Sequence, residues 1–148
     1  MATTTRFCAH HDAIRRKLEA LEVELEVRPE SLQLLRATCH SLRQLVDDHL
    51  RAEEPLVDWV DQSLAPAQRE QLNTDHVVAQ QLLRDLDDLL TVRAKVPTSL
   101  LLELCDRLIM TLRRHLEMEE REVFPMNDRV GVAPAASPSW GPSTEVAT

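Results

Sequence analysis

The chain has 148 residues, which is the size of one domain with a substantial buried core. Its 25 acidic and 17 basic residues argue against a surface for nucleic acid or an anionic membrane. The 3 cysteines lack a C-x-x-C spacing, which argues against a zinc finger or a disulfide framework. Cys39 and Cys105 fall at apolar positions and are predicted to be buried, reduced thiols. No signal peptide or membrane span is recognisable, so we expect a cytoplasmic protein.

The first predicted helix runs from about Thr5 to Val27 and ends before Pro29, because a residue that precedes proline is disfavoured in the α region. Its apolar positions recur every three or four residues and include a histidine. They are Cys8, His11, Ile14, Leu18, Leu21 and Leu25. Cys8 is predicted to be a small core residue, with a thiolate ligand one turn before His11 as the alternative.

The second predicted helix begins near Glu30 and carries two polar residues at core positions. Its inward positions are Leu35, Cys39, Leu42, Val46, His49, Glu53, Leu56 and Val60. Pro55 is expected to kink this helix, since proline removes a backbone hydrogen bond. The sequence Leu64-Ala65-Pro66 predicts the turn into the next helix.

The third helix is predicted from about Pro66 to about Lys95. Its inward positions are Leu72, His76, Ala79, Leu83, Leu86 and Leu90. The fourth helix is predicted to start near Thr98 or Ser99, both common N-cap residues, and to continue towards Val130. Its inward positions are Leu101, Cys105, Leu108, Leu112, His115, Glu119 and Val123.

Four helices with short connections predict an all-α fold, an antiparallel up-down four-helix bundle. The end of the chain is rich in Pro, Ser, Ala and Thr, and this composition does not build a packed element. We therefore predict a bundle domain over residues 5–130 and a disordered tail over residues 131–148. Trp140 in this tail is expected to be exposed, or else docked on the domain or a partner.

The two halves of the chain repeat one arrangement of polar residues. A His-x-x-x-Glu pair occurs in the second helix and again in the fourth, and a further histidine precedes each pair. The six residues are His11, His49, Glu53, His76, His115 and Glu119. Counted from the turns at about 1.5 Å per residue, all six reach the same level near one end of the bundle.

This cluster predicts a metal site. Residues four apart lie on one face of a helix, so each pair offers a nitrogen and an oxygen donor to a common point. Two buried carboxylates repel each other and are costly to desolvate unless a cation lies between them. No Lys or Arg falls in register with both carboxylates, and two bridged metal ions use these donors naturally. Spacing alone does not choose among iron, manganese and zinc.

Several polar residues adjoin these positions and are additional candidates for the site. Glu54 and Glu120 lie about 100° around the helix from their stripes and are expected behind the ligands or at the surface. His10 and His40 are expected to be exposed to solvent. Asp75 is expected either to orient an imidazole on a neighbouring helix or to interact with the helix dipole.

The pattern His, His-x-x-x-Glu, His, His-x-x-x-Glu on four helices resembles the hemerythrin family, in its HHE cation-binding branch. The stretch His115–Pro125 resembles the fourth-helix signature of that family, and the resemblance covers about residues 5–130. It implies a non-haem di-iron centre with Glu53 and Glu119 bridging and the four histidines as terminal ligands. Oxygen-carrying hemerythrins have a further third-helix histidine, where this chain has Leu72 or Gln80. This difference favours redox chemistry over simple O₂ carriage.

Three functional hypotheses follow from this resemblance. The first is a di-iron oxidase, oxygenase or peroxide-consuming enzyme, and the second is a non-enzymatic sensor or binding module for O₂, NO or iron. The third is a metal that only stabilises the bundle. Ferritin-like di-iron proteins are excluded, because they use Glu-x-x-His and no histidine here has an acidic residue three positions earlier. We expect O₂, peroxide or NO as small ligands, with a possible small-molecule substrate and no nucleic acid or membrane partner.

Overall fold

The computed structural model describes residues 2–27, 32–53, 62–92 and 97–126. These ranges contain four long helices and no strand. The helices are α1 (Ala2–Val27), α2 (Leu32–Glu53), α3 (Pro66–Val92) and α4 (Thr98–Met118), and a π-helical turn, Glu119–Val123, continues α4. The predictions for Pro29, Glu54, Pro55 and the tail with Trp140 lie outside the described residues.

The helices pack in a ring, which confirms the predicted bundle. α1 packs against α2, α2 against α3, α3 against α4, and α4 returns to α1. Two ion pairs show the relative direction of α1 and α4. Arg15 contacts Glu120, whereas Glu22, further along α1, contacts Arg113, which comes earlier in the chain than Glu120. α1 and α4 are therefore antiparallel, as the up-down arrangement requires. Within the described ranges, no helix is both long and apolar enough to span a membrane.

Two apolar clusters lie on either side of the predicted polar level. The larger cluster contains Leu18, Leu42, Leu86 and Leu108, and each of these side chains contributes about 1.5–3 kcal/mol through burial. The smaller cluster consists of Phe7, Leu64, Leu72, Val123 and Phe124. On α1, for example, Phe7 of the smaller cluster and Ile14 of the larger one flank His11. The polar level is thus enclosed by apolar side chains above and below.

The predicted core position of Cys8 was wrong. Cys8 is exposed, and Phe7 is buried in its place. Phe7 also lies at helical spacing from His11, and its much larger apolar area favours its burial over that of a cysteine. Cys39 and Cys105 are buried without a disulfide, as predicted. A hydrogen bond with the Cys105 thiol, together with burial, raises the pKa of Cys39.

The start of α3 is where the sequence predicts it, whereas the predicted capping residue of α4 differs from the observed one. The turn at Leu64–Pro66 leads into α3, where Gln68 Oε1 accepts the Ala65 N–H at 3.1 Å. At α4 the expected N-cap at Thr98 or Ser99 was wrong, because Pro97 is the capping residue and provides no side-chain cap. The Pro97 backbone is extended (φ −61°, ψ 119°), and its carbonyl accepts the Leu101 N–H at 3.1 Å.

Candidate metal centre

The six predicted side chains meet at one level between the four helices, and Glu119 lies in their midst. Glu119 Oε2 is 2.9 Å from His11 Nε2 and 3.2 Å from His49 Nε2. Glu119 Oε1 is 2.7 Å from His115 Nε2 and 3.9 Å from His76 Nε2. One carboxylate therefore faces histidines from all four helices.

Glu53 also faces two of these histidines. Its Oε1 is 3.3 Å from His49 Nε2, and its Oε2 is 3.2 Å from His76 Nε2. His76 Nε2 is in turn 3.1 Å from His115 Nε2. The nitrogen donors thus fall into two pairs, which we name the α1–α2 pair (His11 and His49) and the α3–α4 pair (His76 and His115). Glu53 directs a different oxygen towards each pair.

The separations between these donor atoms are close to those between two donors bound to the same metal ion. Two donors bound to one ion at about 2.1 Å lie about 3.0–3.4 Å apart when the angle between them is octahedral to tetrahedral. The nearest donor atoms here are separated by 2.7–3.3 Å. One ligand atom from each of His49, Glu53, His115 and Glu119 lies within 4.8 Å of the other three. The donor set is therefore compact enough to surround metal ions.

Unsatisfied polar atoms support the same interpretation. Both ring nitrogens of His49 and Nδ1 of His115 are buried without a hydrogen-bond partner. Burial of a polar atom without a partner costs free energy, so such atoms are rare and call for an explanation. For His49 Nε2, which faces two carboxylates at more than 3 Å, coordination of a cation supplies the missing interaction.

Among the described ligand candidates, Glu53 and His76 are the ones that reach solvent. The side chains of His11, His49, His115 and Glu119 are at most 4% exposed. Glu53 is 15% exposed and His76 is 27% exposed. The α1–α2 pair is therefore enclosed, whereas the α3–α4 pair borders solvent through His76.

The two carboxylates ionise at very different pH. Burial, followed by the negative charge of Glu119, raises the pKa of Glu53 to about 8. Burial also disfavours the charged form of Glu119, but a hydrogen bond with Glu53 and the charge of His115 outweigh it and hold the pKa of Glu119 well below its usual value. Two adjacent buried carboxylates resist ionising together, because each negative charge disfavours the other.

Burial lowers the pKa values of the imidazoles, whereas the neighbouring carboxylates raise them. Burial works against the charged form of His76, yet hydrogen bonds with Glu119 and Glu53 outweigh it and raise its pKa to about 9. For His49, the same carboxylates also outweigh burial and raise the pKa. For His115, burial dominates over the attraction of Glu119 and lowers the pKa.

Glu120 and Arg15 form a hydrogen-bonded group behind His11. Glu120 Oε1 lies 2.9 Å from His11 Nδ1, and the two Glu120 oxygens accept Arg15 Nη1 at 2.7 Å and Nη2 at 2.8 Å. The hydrogen bond from Arg15 lowers the pKa of Glu120. Sequence reasoning did not identify Arg15, although its position one helical turn after His11 places both residues on one face of α1.

The π turn at the end of α4 carries both glutamates that contact His11. It is marked by the Phe124 N–H, which donates to the Glu119 carbonyl five residues earlier instead of four. The sequence did not predict this turn, because side-chain periodicity does not report a single inserted backbone position. Insertions of this kind occur frequently at functional sites.

Asp75 is fully buried beside His76, but its oxygens contact other residues. They accept a hydrogen bond from Gln71 Nε2 at 2.8 Å and from the guanidinium of Arg114, which donates through Nε and Nη2. This contact joins α3 to α4 next to the α3–α4 pair. Neither partner was expected from the sequence, because their selection depends on helix packing.

His10 was expected to be exposed, and this was wrong. Its ring is half-buried, 6.2 Å from the His49 ring and 6.5 Å from the Phe7 ring, and its Nδ1 is buried. Burial lowers the pKa of His10. The prediction failed because α1 packs closely against α2 at this level, so a position beside the stripe is also covered. His40 is exposed, as predicted.

An antiparallel helical bundle with a buried cluster of histidines and glutamates at one level defines a class of metal-binding four-helix proteins. The family model described as the hemerythrin HHE cation binding domain matches residues 3–127. The chain therefore belongs to this family, whose domains bind metal ions, typically iron. No curated protein and no solved structure gives a significant match.

Proposed function

We propose that the protein is a non-haem di-iron protein that binds or activates O₂ or peroxide. The proposed ligands are His11, His49, Glu53, His76, His115 and Glu119. The main support for the proposal is that the two oxygens of each carboxylate face different histidine pairs. Glu119 and Glu53 each direct one oxygen to the α1–α2 pair and the other to the α3–α4 pair. This arrangement supports two ions with two bridging carboxylates better than it supports one ion.

Each half of the site offers two imidazole nitrogens and two carboxylate oxygens. Mixed nitrogen and oxygen donors suit iron, manganese and zinc, and membership of the family supports iron. Four protein donors do not fill an octahedral shell, so positions remain for a small ligand. When bound, iron supplies one-electron redox chemistry and affinity for O₂ and its reduced relatives.

The surrounding residues support a small ligand rather than a large substrate. The apolar clusters above and below the site exclude bulk water, and such a shell controls both solvent access and redox potential. Phe124 packs against His11 with ring centroids 4.9 Å apart, and Phe7 packs against Phe124 at 5.9 Å. The described route to the site is the partly exposed edge at His76 and Glu53, which suits a molecule the size of O₂, NO or peroxide.

Iron analysis and visible spectroscopy test this proposal. Protein produced in iron-rich medium should contain two iron ions per chain and show oxo-to-iron charge-transfer bands after exposure to O₂. Azide and peroxide should perturb these bands, because the ions keep positions for small ligands. One iron per chain, or a spectrum inert to azide, would contradict the proposal. Catalytic consumption of peroxide or O₂ with a reductant identifies an enzyme, whereas ligand binding without turnover identifies a sensor or binding module.

A further inference from the structure

The three most buried histidines of the site differ in what lies behind their rings. His11 has a carboxylate oxygen of Glu120 2.9 Å from Nδ1. Nδ1 of His49 and Nδ1 of His115 are buried without a hydrogen-bond partner. His11 therefore has a carboxylate behind its ring that neither His49 nor His115 has among the described residues.

Glu120 is itself held in place by Arg15. The guanidinium donates to both Glu120 oxygens at 2.7 and 2.8 Å, a two-pronged geometry that is the strongest form of this contact. The Glu120 side chain is 35% exposed, so without Arg15 it could turn towards water. Arg15 and His11 lie one turn apart on α1, whereas Glu120 comes from the π turn after α4. The group thus fixes the distance between the two helices at the level of the site.

We infer that Glu120 is a positioning residue that makes the α1–α2 pair the tighter of the two metal positions. This inference rests on the proposed function, because it presumes that both pairs bind ions. A carboxylate that accepts the Nδ1–H of a ligating histidine fixes the tautomer with Nε2 unprotonated and raises the donor strength of Nε2. Glu120 does this for His11, and no described carboxylate does the same for His49 or His115.

The π turn explains how one segment serves both sides of the ring. Glu119 faces His11 Nε2 at 2.9 Å, and Glu120 faces Nδ1 of the same imidazole at 2.9 Å. Consecutive residues of a regular α-helix point about 100° apart. The π turn begins at Glu119, and both carboxylates that contact the His11 ring lie in it. Adjacent positions therefore provide a proposed ligand, Glu119, and the residue that orients His11, Glu120.

The chain offers a matched control for this inference. Arg113 and Glu22 also join α1 and α4 through two parallel hydrogen bonds, of 2.8 and 2.7 Å, and both side chains are comparably exposed to those of Arg15 and Glu120. This pair contacts no proposed ligand in the described structure. Glu22→Ala therefore removes the same kind of ion pair between the same helices and leaves the surroundings of His11 unchanged.

Anaerobic titration with Fe²⁺ against a competing chelator tests the inference. Wild-type protein should bind two ions with distinct affinities. Glu120→Ala should weaken the tighter one by about 10- to 100-fold and leave the weaker one within about 3-fold. Glu120→Gln retains an acceptor oxygen but not the charge, so it should cause a smaller loss of affinity. It replaces Glu120→Ala in the experiment if that variant does not fold. Glu22→Ala should leave both affinities unchanged.

A second measurement reports the tautomer directly. In Zn²⁺-loaded protein, long-range ¹⁵N–¹H NMR should show His11 protonated at Nδ1 with a strongly downfield proton, which Glu120→Ala should remove. Three results would overturn the role of Glu120 and leave the proposed function standing. They are an equal loss of affinity for both ions in Glu120→Ala, no loss in Glu120→Ala, or an equal loss in Glu22→Ala. A wild-type protein that binds no Fe²⁺ would instead overturn the proposed function.

Discussion

His76 Nε2 lies 3.1 Å from His115 Nε2, although the two residues are 39 positions apart in the sequence. Two imidazole nitrogens at this distance either share a proton or coordinate one cation, since two neutral lone pairs facing each other would repel. His76 is the more exposed of the two, and its helix, α3, carries no other proposed ligand. The contribution of this pair to metal binding can therefore be separated from that of the α1–α2 pair.

His76→Ala should reduce the iron content from two ions to one per chain. The substitution removes one of two nitrogen donors from the α3–α4 pair, while His11 and His49 keep their contacts with Glu119. His40→Ala is the control, because His40 is an exposed histidine on α2. Metal analysis after removal of loosely bound iron measures the ratio. A variant that retains two ions would contradict the assignment of His76.

Glu119→Gln should impair the loading of both ions. Glu119 directs one oxygen to each nitrogen pair, and an amide retains only one oxygen donor and no negative charge. The loss of the charge also leaves two ions with less compensation in a buried site. Glu117→Gln is a matched control two positions away on α4, at an exposed residue. Full loading of Glu119→Gln would refute the bridging role of this carboxylate.

Much of the fold and the cluster could be predicted because the relevant signals are short-range. The apolar positions of α2, α3 and α4 recur every three or four residues, so the inward position of His49 follows from its own neighbours. The shared level of the six side chains then follows from helix lengths and short connections. Both inferences need only the geometry of single helices and the order in which they pack.

The failures concern contacts that packing alone decides. Phe7 and Cys8 both lie at helical spacing from neighbouring stripe residues, and the larger apolar area of Phe7 and its contact with Phe124 favour Phe7 for the interior. Arg15 and Glu120 are 105 positions apart, and their pairing depends on the π turn and on the α1–α4 packing. No local pattern encodes such a contact. The residues that adjust the site are therefore harder to predict than the proposed ligands.

Leu108→Ala should destabilise the bundle by about 2–5 kcal/mol, because it removes a fully buried side chain from the larger cluster and leaves a cavity. Leu102→Ala is the matched control on the same helix, since Leu102 is 36% exposed and lies outside that cluster. Urea denaturation of the metal-free forms measures the free energies of unfolding without a contribution from bound ions. Equal effects of the two substitutions would contradict the described packing of α4.

Metal binding should release protons at pH 7 and weaken as the pH falls. The pKa of Glu53 is raised to about 8 and that of His76 to about 9, so both groups hold a proton at pH 7 that a bound ion must displace. Below pH 8, loss of two protons predicts a fall in Zn²⁺ affinity of up to about 100-fold per pH unit. Calorimetry in buffers of different ionisation enthalpy counts the protons, and the count should approach zero above about pH 10. Release of no proton at pH 7 would show that Glu53 and His76 are already deprotonated before the metal binds.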